Sequence, residues 1–274
     1  WLGDCPERGI DGPHAVMRFR EPVGPPAPIR LTIQAYGSAH HARVWGEVPE
    51  DSDASQVFKE CAFVRLDTDL ERLNYDFLFA LDLARALPDI DPAYATIVRA
   101  LNDVCNLWSQ GSANRIARAR RLIKDALGSL PGEVKHTITA VGHAHLDTAW
   151  LWPLAVTHLK MAHTAANQLY NMDRYPQFVF AHSQACQYEW IEQEVPALFH
   201  KIQEAAERGQ WEPVGSMWVE ADCNLSGGEA LVRQFLYGRR YFQSRFGRTT
   251  DDMWLPDVFG YAASLPQILE KFGI

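Results

Sequence analysis

Four residues in one short stretch carry side chains that could do chemistry together: His143, His145, Asp147 and Trp150. An imidazole and a carboxylate two positions apart, as in His145-Leu146-Asp147, share a side of a locally extended backbone and can reach one ion. That pairing suits zinc or another borderline divalent cation, with further ligands drawn from elsewhere in the chain. The His143-x-His145 spacing could bind metal too, in the manner of amidohydrolase-like barrels whose zinc generates hydroxide. An isolated His-x-Asp also occurs in ordinary polar loops, where backbone groups satisfy both side chains, so its surroundings must decide. The stretch follows a β-type run, 136–141, and precedes Leu151-Trp152-Pro153 and an amphipathic helix. A strand end turning into a helix is the edge at which α/β folds collect ligands and catalytic groups. At that edge the metal reading of His145 and Asp147 outweighs the polar-loop reading. His143 is expected to serve the loop through hydrogen bonds.

The elements behind this edge repeat. From Val134 onward, strand patterns at 136–141, 177–181, 211–219 and 253–256 alternate with helical patterns at 154–172, 186–208, 228–246 and 264–272. Ser226-x-x-Glu229 precedes the third helix as a capping-box pattern. Alternation with a repeat of roughly 40 residues marks successive βα units of a parallel sheet or barrel. About four units are present, whereas a (β/α) barrel takes seven or eight. The expected fold class is therefore α/β: a partial (β/α) barrel of parallel βα units, preceded by a short β region and a helical segment. Residues 1–67 are assigned to the β region, with Pro22–Pro28 as a breaker cluster and strands at 29–36, 42–45 and 62–66. Residues 68–131 form the helical segment, with helices at 70–87, 91–108 and 112–130. Asp91-Pro92 supplies an N-cap and first helical position. Arg115, Arg118, Arg120, Arg121 and Lys124 read as a solvated helix face, because no aromatic residues interleave with them. Residues 134–274 would be the N-terminal part of a truncated catalytic barrel domain belonging to a larger enzyme.

Parallel strands all point one way, so every βα junction should lie on one edge. The first junction carries His143, His145, Asp147 and Trp150, and the second His182, Ser183 and Gln184. The third carries Trp218-Val-Glu220-Ala-Asp222-Cys-Asn224, and the fourth Trp254-Leu-Pro-Asp257-Val-Phe-Gly260-Tyr261. A carboxylate beside a tryptophan recurs in three of these four. Carboxylates flanked by aromatic faces are what a sugar site needs: rings for the C–H side, acids for hydroxyls and catalysis. Asp222 is the best candidate for a nucleophile or further metal ligand. Its alternative role is negative charge at a helix N-terminus, which Ser226 and Glu229 already provide. Glu220 alternates to the other side of the backbone and would support a ligand. Asp257 either lines the pocket or caps its turn, and Cys223 is a packing residue.

Bulk properties narrow the partners. The chain has 274 residues and a net charge of -8. It has no Lys/Arg-rich block, which disfavours nucleic acid and anionic membranes. No apolar run approaches the ~20 residues of a bilayer span. The five cysteines are scattered without a C-x-x-C pair, so a disulfide framework is not expected and a reducing cytoplasmic location fits. The first residue is Trp1, so the absence of a signal-peptide pattern carries little weight.

Three motifs, in this order, resemble glycoside hydrolase family 38, the α-mannosidases. They are Gly142-His-Ala-His-Leu-Asp-Thr-Ala-Trp150, Gly215-Ser-Met-Trp-Val-Glu-Ala-Asp-Cys-Asn224, and Trp254-Leu-Pro-Asp-Val-Phe-Gly260 with Leu265-Pro266. The resemblance covers 134–274; residues 1–130 look, more weakly, like the N-terminal region of the cytosolic, bacterial and fungal branch. It implies that His145 and Asp147 are metal ligands, that Trp150 is the platform beneath the mannose, and that Asp222 is both nucleophile and ligand of the same ion. Asp257 would lie in the active-site region, in contact with substrate. One Zn2+, or Co2+ or another divalent cation, would coordinate the sugar's 2- and 3-hydroxyls. The implied function is a retaining α-mannosidase that removes terminal α-linked mannose from oligosaccharides by double displacement. Homo-oligomer formation is left open. The family's general acid and remaining ligand His are expected after Ile274, so these residues alone are expected to be inactive. The rival readings are the amidohydrolase-like hydrolase and a catalytically inactive, glycan-binding relative.

Overall fold

A computed structural model describes residues 67–109, 114–130, 137–150 and 152–274. The β region read over 1–67 lies outside these residues, apart from Asp67. The chain divides into two units, Val57–Ile138 and a second comprising Trp1–Gln56 with Thr139–Ile274.

The helices of the first unit begin where side chains satisfy backbone N–H groups. Asp67 Oδ1 accepts from the amides of Asp69 (3.1 Å) and Leu70 (3.0 Å), opening α1, Thr68–Ala86. Asp91 Oδ1 accepts from Ala93 N at 2.8 Å, and α2, Pro92–Ser109, starts on the proline. The third helix, α3, is Arg115–Gly128. Leu73, Ala80, Ile97, Leu101, Ala119 and Ile123 form the core among these helices. Arg115, Arg118, Arg121 and Lys124 face solvent, while Arg120 pairs with Asp76 at 2.7 Å.

The second unit is built on three parallel strands in the order β1 (Gly142–His143), β2 (Phe180–His182) and β3 (Trp211–Pro213). Gly142 stands opposite Phe180, and Phe180 opposite Trp211. Helix α4 (Leu154–Arg174) follows β1, α5 (Ala185–Glu194) and α6 (Pro196–Glu207) follow β2, and α7 (Gly228–Phe246) follows β3. Helix α8 spans Leu265–Phe272. Met161, Ala165, Phe180, Tyr188, Ile202, Trp211 and Phe242 bury the inner faces of strands and helices together.

Five local expectations change. The strand expected over 211–219 forms only at Trp211–Pro213. The strand expected over 136–141 pairs only from Gly142, where a Cβ would stand 2.7 Å from Phe178 Cζ. The helix expected over 186–208 breaks at Val195-Pro196, because proline lacks the N–H and drives its predecessor out of the helical region; Val195 has φ -136° and ψ 65°. The run 253–256 forms no strand. It attaches to the third junction through a side chain instead, Asp252 Oδ2 accepting Gly215 N at 2.9 Å. The Ser226/Glu229 capping box is not made: Gly227 occupies the N-cap of α7 without a side-chain hydrogen bond. The Ser226 amide turns back to the Asp222 carbonyl at 3.2 Å.

The segment leaving β3 is pinned from two sides. The amides of Ala185 and Cys186 donate to the carbonyls of Met217 (3.2 Å) and Trp218 (3.0 Å). Gln234 of α7 accepts from the amides of Trp218 (through O, 3.0 Å) and Val219 (through Oε1, 2.8 Å). Helix α7 can come this close because residue 238 is glycine: a Cβ there would lie 2.4 Å from Ser216 O and 2.5 Å from Met217 C.

Candidate metal centre

The loop after β1 is held at its backbone. Leu146 O accepts two side-chain amides, Gln184 Nε2 and Gln187 Nε2, each at 2.8 Å. Asp147 O accepts the fully buried Thr157 hydroxyl at 3.2 Å, and Thr157 Oγ1 accepts Trp152 Nε1 at 2.9 Å. Thr148 Oγ1 donates to Gln184 Oε1 at 2.7 Å. Gln184 is one of three non-glycine residues with positive φ among those described, at 66°. Such a conformation costs on the order of 1 kcal/mol or more and persists where surrounding contacts enforce it. Here those contacts are the hydrogen bonds to the loop.

On this platform His145 Nε2 lies 3.5 Å from Asp147 Oδ1 and 3.6 Å from Asp257 Oδ2. One ligand atom from each of His145, Asp147 and Asp257 falls within 4.8 Å of the others. Two ligands bound tetrahedrally at about 2.0–2.2 Å stand roughly 3.4 Å apart, so the nitrogen-to-oxygen spacings fit a shared divalent ion of the zinc type. His145 Nε2 is buried and makes no hydrogen bond among the described residues. On the far side of the ring Nδ1 lies 2.7 Å from Glu220 Oε2, ion-pair distance without the alignment of a hydrogen bond. The Glu220 carboxylate, with weaker help from Asp147 and Asp257, holds the His145 imidazolium above its ordinary range against the opposing cost of burial.

The other residues singled out from sequence take separate positions. Asp222 is exposed and outside the three-residue cluster; its Oδ1 accepts the amides of Asn224 (2.8 Å) and Leu225 (2.9 Å), closing a turn. Asp257, left between pocket and turn by the sequence, stands in the cluster. Trp150 is 45 % exposed, its ring edge-on to Trp152. The two other tryptophans beside carboxylates turn inward: Trp254 Nε1 donates to His143 Nε2 at 3.2 Å, and Trp218 packs against Tyr241. His143 Nδ1 donates to Ala181 O at 2.9 Å. With Nδ1 donating and Nε2 accepting, His143 has no lone pair left for an ion. Gln187 and Thr157, which clamp the loop, carry no spacing signal that could have marked them. Ser183 and Gln184 were visible only as polar residues at a strand end.

One imidazole and two carboxylates thus gather at metal-ligand spacing, His145 and Asp147 on the loop that leaves β1. The description "Glycosyl hydrolases family 38 N-terminal domain" matches residues 135–274, and the chain belongs to that family. It is 42% identical over 206 residues to alpha-mannosidase 2C1 of Homo sapiens, covering 75% of this chain and 20% of that protein. It is 40% identical over 174 residues to alpha-mannosidase G of Dictyostelium discoideum, covering 63% and 16% respectively. To an alpha-mannosidase of Saccharomyces cerevisiae it is 34% identical over 239 residues, covering 82% and 22%. The chain thus spans about a fifth of the length of these relatives.

Proposed function

We propose that this chain is part of a retaining α-mannosidase acting on terminal α-linked mannose of oligosaccharides in the cytoplasm. The observation that carries the reading is the His145, Asp147 and Asp257 cluster, at ligand spacing where the loop after β1 meets the 253–260 segment of a family 38 chain. His145 and Asp147 would hold one divalent cation, Zn2+ or Co2+, with Asp222 as a further ligand. When bound, that ion would supply Lewis-acid polarisation of sugar hydroxyls. Trp150 offers its exposed face to the C–H side of the sugar. Asp222, its carboxylate oriented by the Asn224 and Leu225 amides, attacks the anomeric carbon with its other oxygen. A second carboxyl group protonates the leaving oxygen and then activates water, which requires the pair to sit ~5–5.5 Å apart; the family pattern places that acid after residue 274. The three parallel βα units are taken as the opening of a (β/α) barrel whose later strands complete the pocket.

The test is hydrolysis of a fluorogenic α-mannoside by the full-length protein, metal-stripped and reloaded with Zn2+ or Co2+, with product stereochemistry read by NMR. The expected result is metal-dependent cleavage with retention, lost in Asp222→Asn. Binding of mannosides without cleavage under either metal would overturn the reading in favour of a glycan-binding protein.

A further inference from the structure

The carboxylate behind His145 is an unusual thing to bury. Glu220 is only 4 % exposed at its side chain. A buried carboxylate is costly unless partners compensate it. Among the ion pairs of the described residues, the one Glu220 makes is to His145 Nδ1, at 2.7 Å. Its other oxygen, Oε1, accepts the Ser183 hydroxyl, and its backbone N–H donates to Gln184 Oε1 at 3.3 Å. The same Gln184 oxygen accepts Thr148, and the Gln184 amide holds Leu146 O. One polar chain therefore runs from the second junction through Glu220 to both sides of His145. It leaves the opposite ring nitrogen, Nε2, buried and facing two carboxylates.

We propose that Glu220 is the positioning residue of the metal centre: the negative charge of its Oε2, 2.7 Å from Nδ1, keeps the His145 proton on that nitrogen and leaves the Nε2 lone pair on the side of Asp147 and Asp257. Ser183 serves this by occupying Oε1, which stops the carboxylate from rotating away. A carboxylate behind a ligating imidazole sets its tautomer and raises its basicity, and losing such a partner weakens metal affinity about 10–100-fold. The inference rests on the reading of His145 as a metal ligand.

The isosteric Glu220→Gln variant tests it, with two measurements made without substrate. Zn2+ affinity is read by competition with a chromogenic chelator, and the His145 tautomer of the metal-free protein by 15N NMR. In the wild type, at a pH high enough for the imidazole to be neutral, the Nδ1–H form is expected. In Glu220→Gln the two tautomers should mix, and Zn2+ affinity should fall about 10–100-fold. A carboxylate with a merely structural role would alter the unfolding temperature and leave tautomer and affinity unchanged, and that outcome would overturn the proposal. Ser183→Ala provides a second, milder variant should Glu220→Gln fail to fold: a smaller loss of affinity with partial tautomer mixing is expected, and no change in either counts against it. His145→Ala separates the two levels of inference. If His145→Ala loses Zn2+ while Glu220→Gln binds it as the wild type does, the positioning role fails alone. If His145→Ala binds Zn2+ normally, the metal centre itself fails.

Discussion

Two imidazoles two residues apart have opposite fates, and the difference lies in what each ring nitrogen touches. His143 spends Nδ1 on the Ala181 carbonyl and Nε2 on the Trp254 indole. His145 has a carboxylate behind Nδ1 and two more before Nε2. His145→Ala should therefore abolish Zn2+ binding, measured by equilibrium dialysis. His143→Ala should retain it while lowering stability by about 1–3 kcal/mol through the two partners left unpaired, the Ala181 carbonyl and the Trp254 indole. Equal loss in both variants would support the amidohydrolase reading. The two-residue spacing was enough to nominate His145 and Asp147, because it depends only on local backbone geometry. Asp257 was not resolvable, since its approach depends on a loop more than 100 residues away along the chain. The pairing of Glu220 with His145 needed the register of β3 against β2, which no spacing encodes.

At the scale of the elements, most helices were legible because their signals are local, as with Asp91-Pro92 at the start of α2; the break at Val195-Pro196 was not foreseen, and the cap at Asp67 and the left-handed end at Gly247, φ 70°, were not singled out. The strands were not, since the observed ladders are two or three residues long. Much of the extended backbone after β3 is bonded instead to helix termini and to Gln234, and periodicity cannot foresee such partners. Gly238 marks the tightest of these contacts. In Gly238→Ala the new methyl would meet the backbone at Ser216 and Met217 rather than a movable side chain. The expected cost is about 1–3 kcal/mol, read as a lowered denaturant midpoint with little change in slope. A variant as stable as the wild type would show that α7 can back away freely. Because the 215–224 segment carries both Glu220 and Asp222, the same variant should also weaken Zn2+ binding.

For the molecule as a whole, acid stability should depend on a residue no sequence motif marks as ionisable in an unusual way. His182 is fully buried at the end of β2, with Nε2 against Gln187 Oε1 at 3.1 Å. Burial, aided by the neighbouring His143, lowers its pKa from 6.5 to about 3. The unfolded chain then binds a proton below pH 6.5 that the folded chain refuses until about pH 3. Stability contributed by this site is complete above pH 6.5 and drains away across that interval as pH falls. The slope approaches ~1.4 kcal/mol per pH unit. His182→Gln should flatten urea-unfolding stability between pH 6 and 4 relative to the wild type, whatever it does at pH 7; an unchanged slope would mean that the buried ring is protonated in the fold. No helix of the described residues is long and apolar enough to cross a membrane. Gln184, finally, bears on how this architecture can vary. A single amide side chain serves the loops after β1 and β3 while belonging to the one after β2. The lengths of three loops are thereby locked to one another, and an insertion in any of them would dislodge the other two. Length variation on this scaffold is steered outward, to positions past Asn224 that Gln184 does not reach.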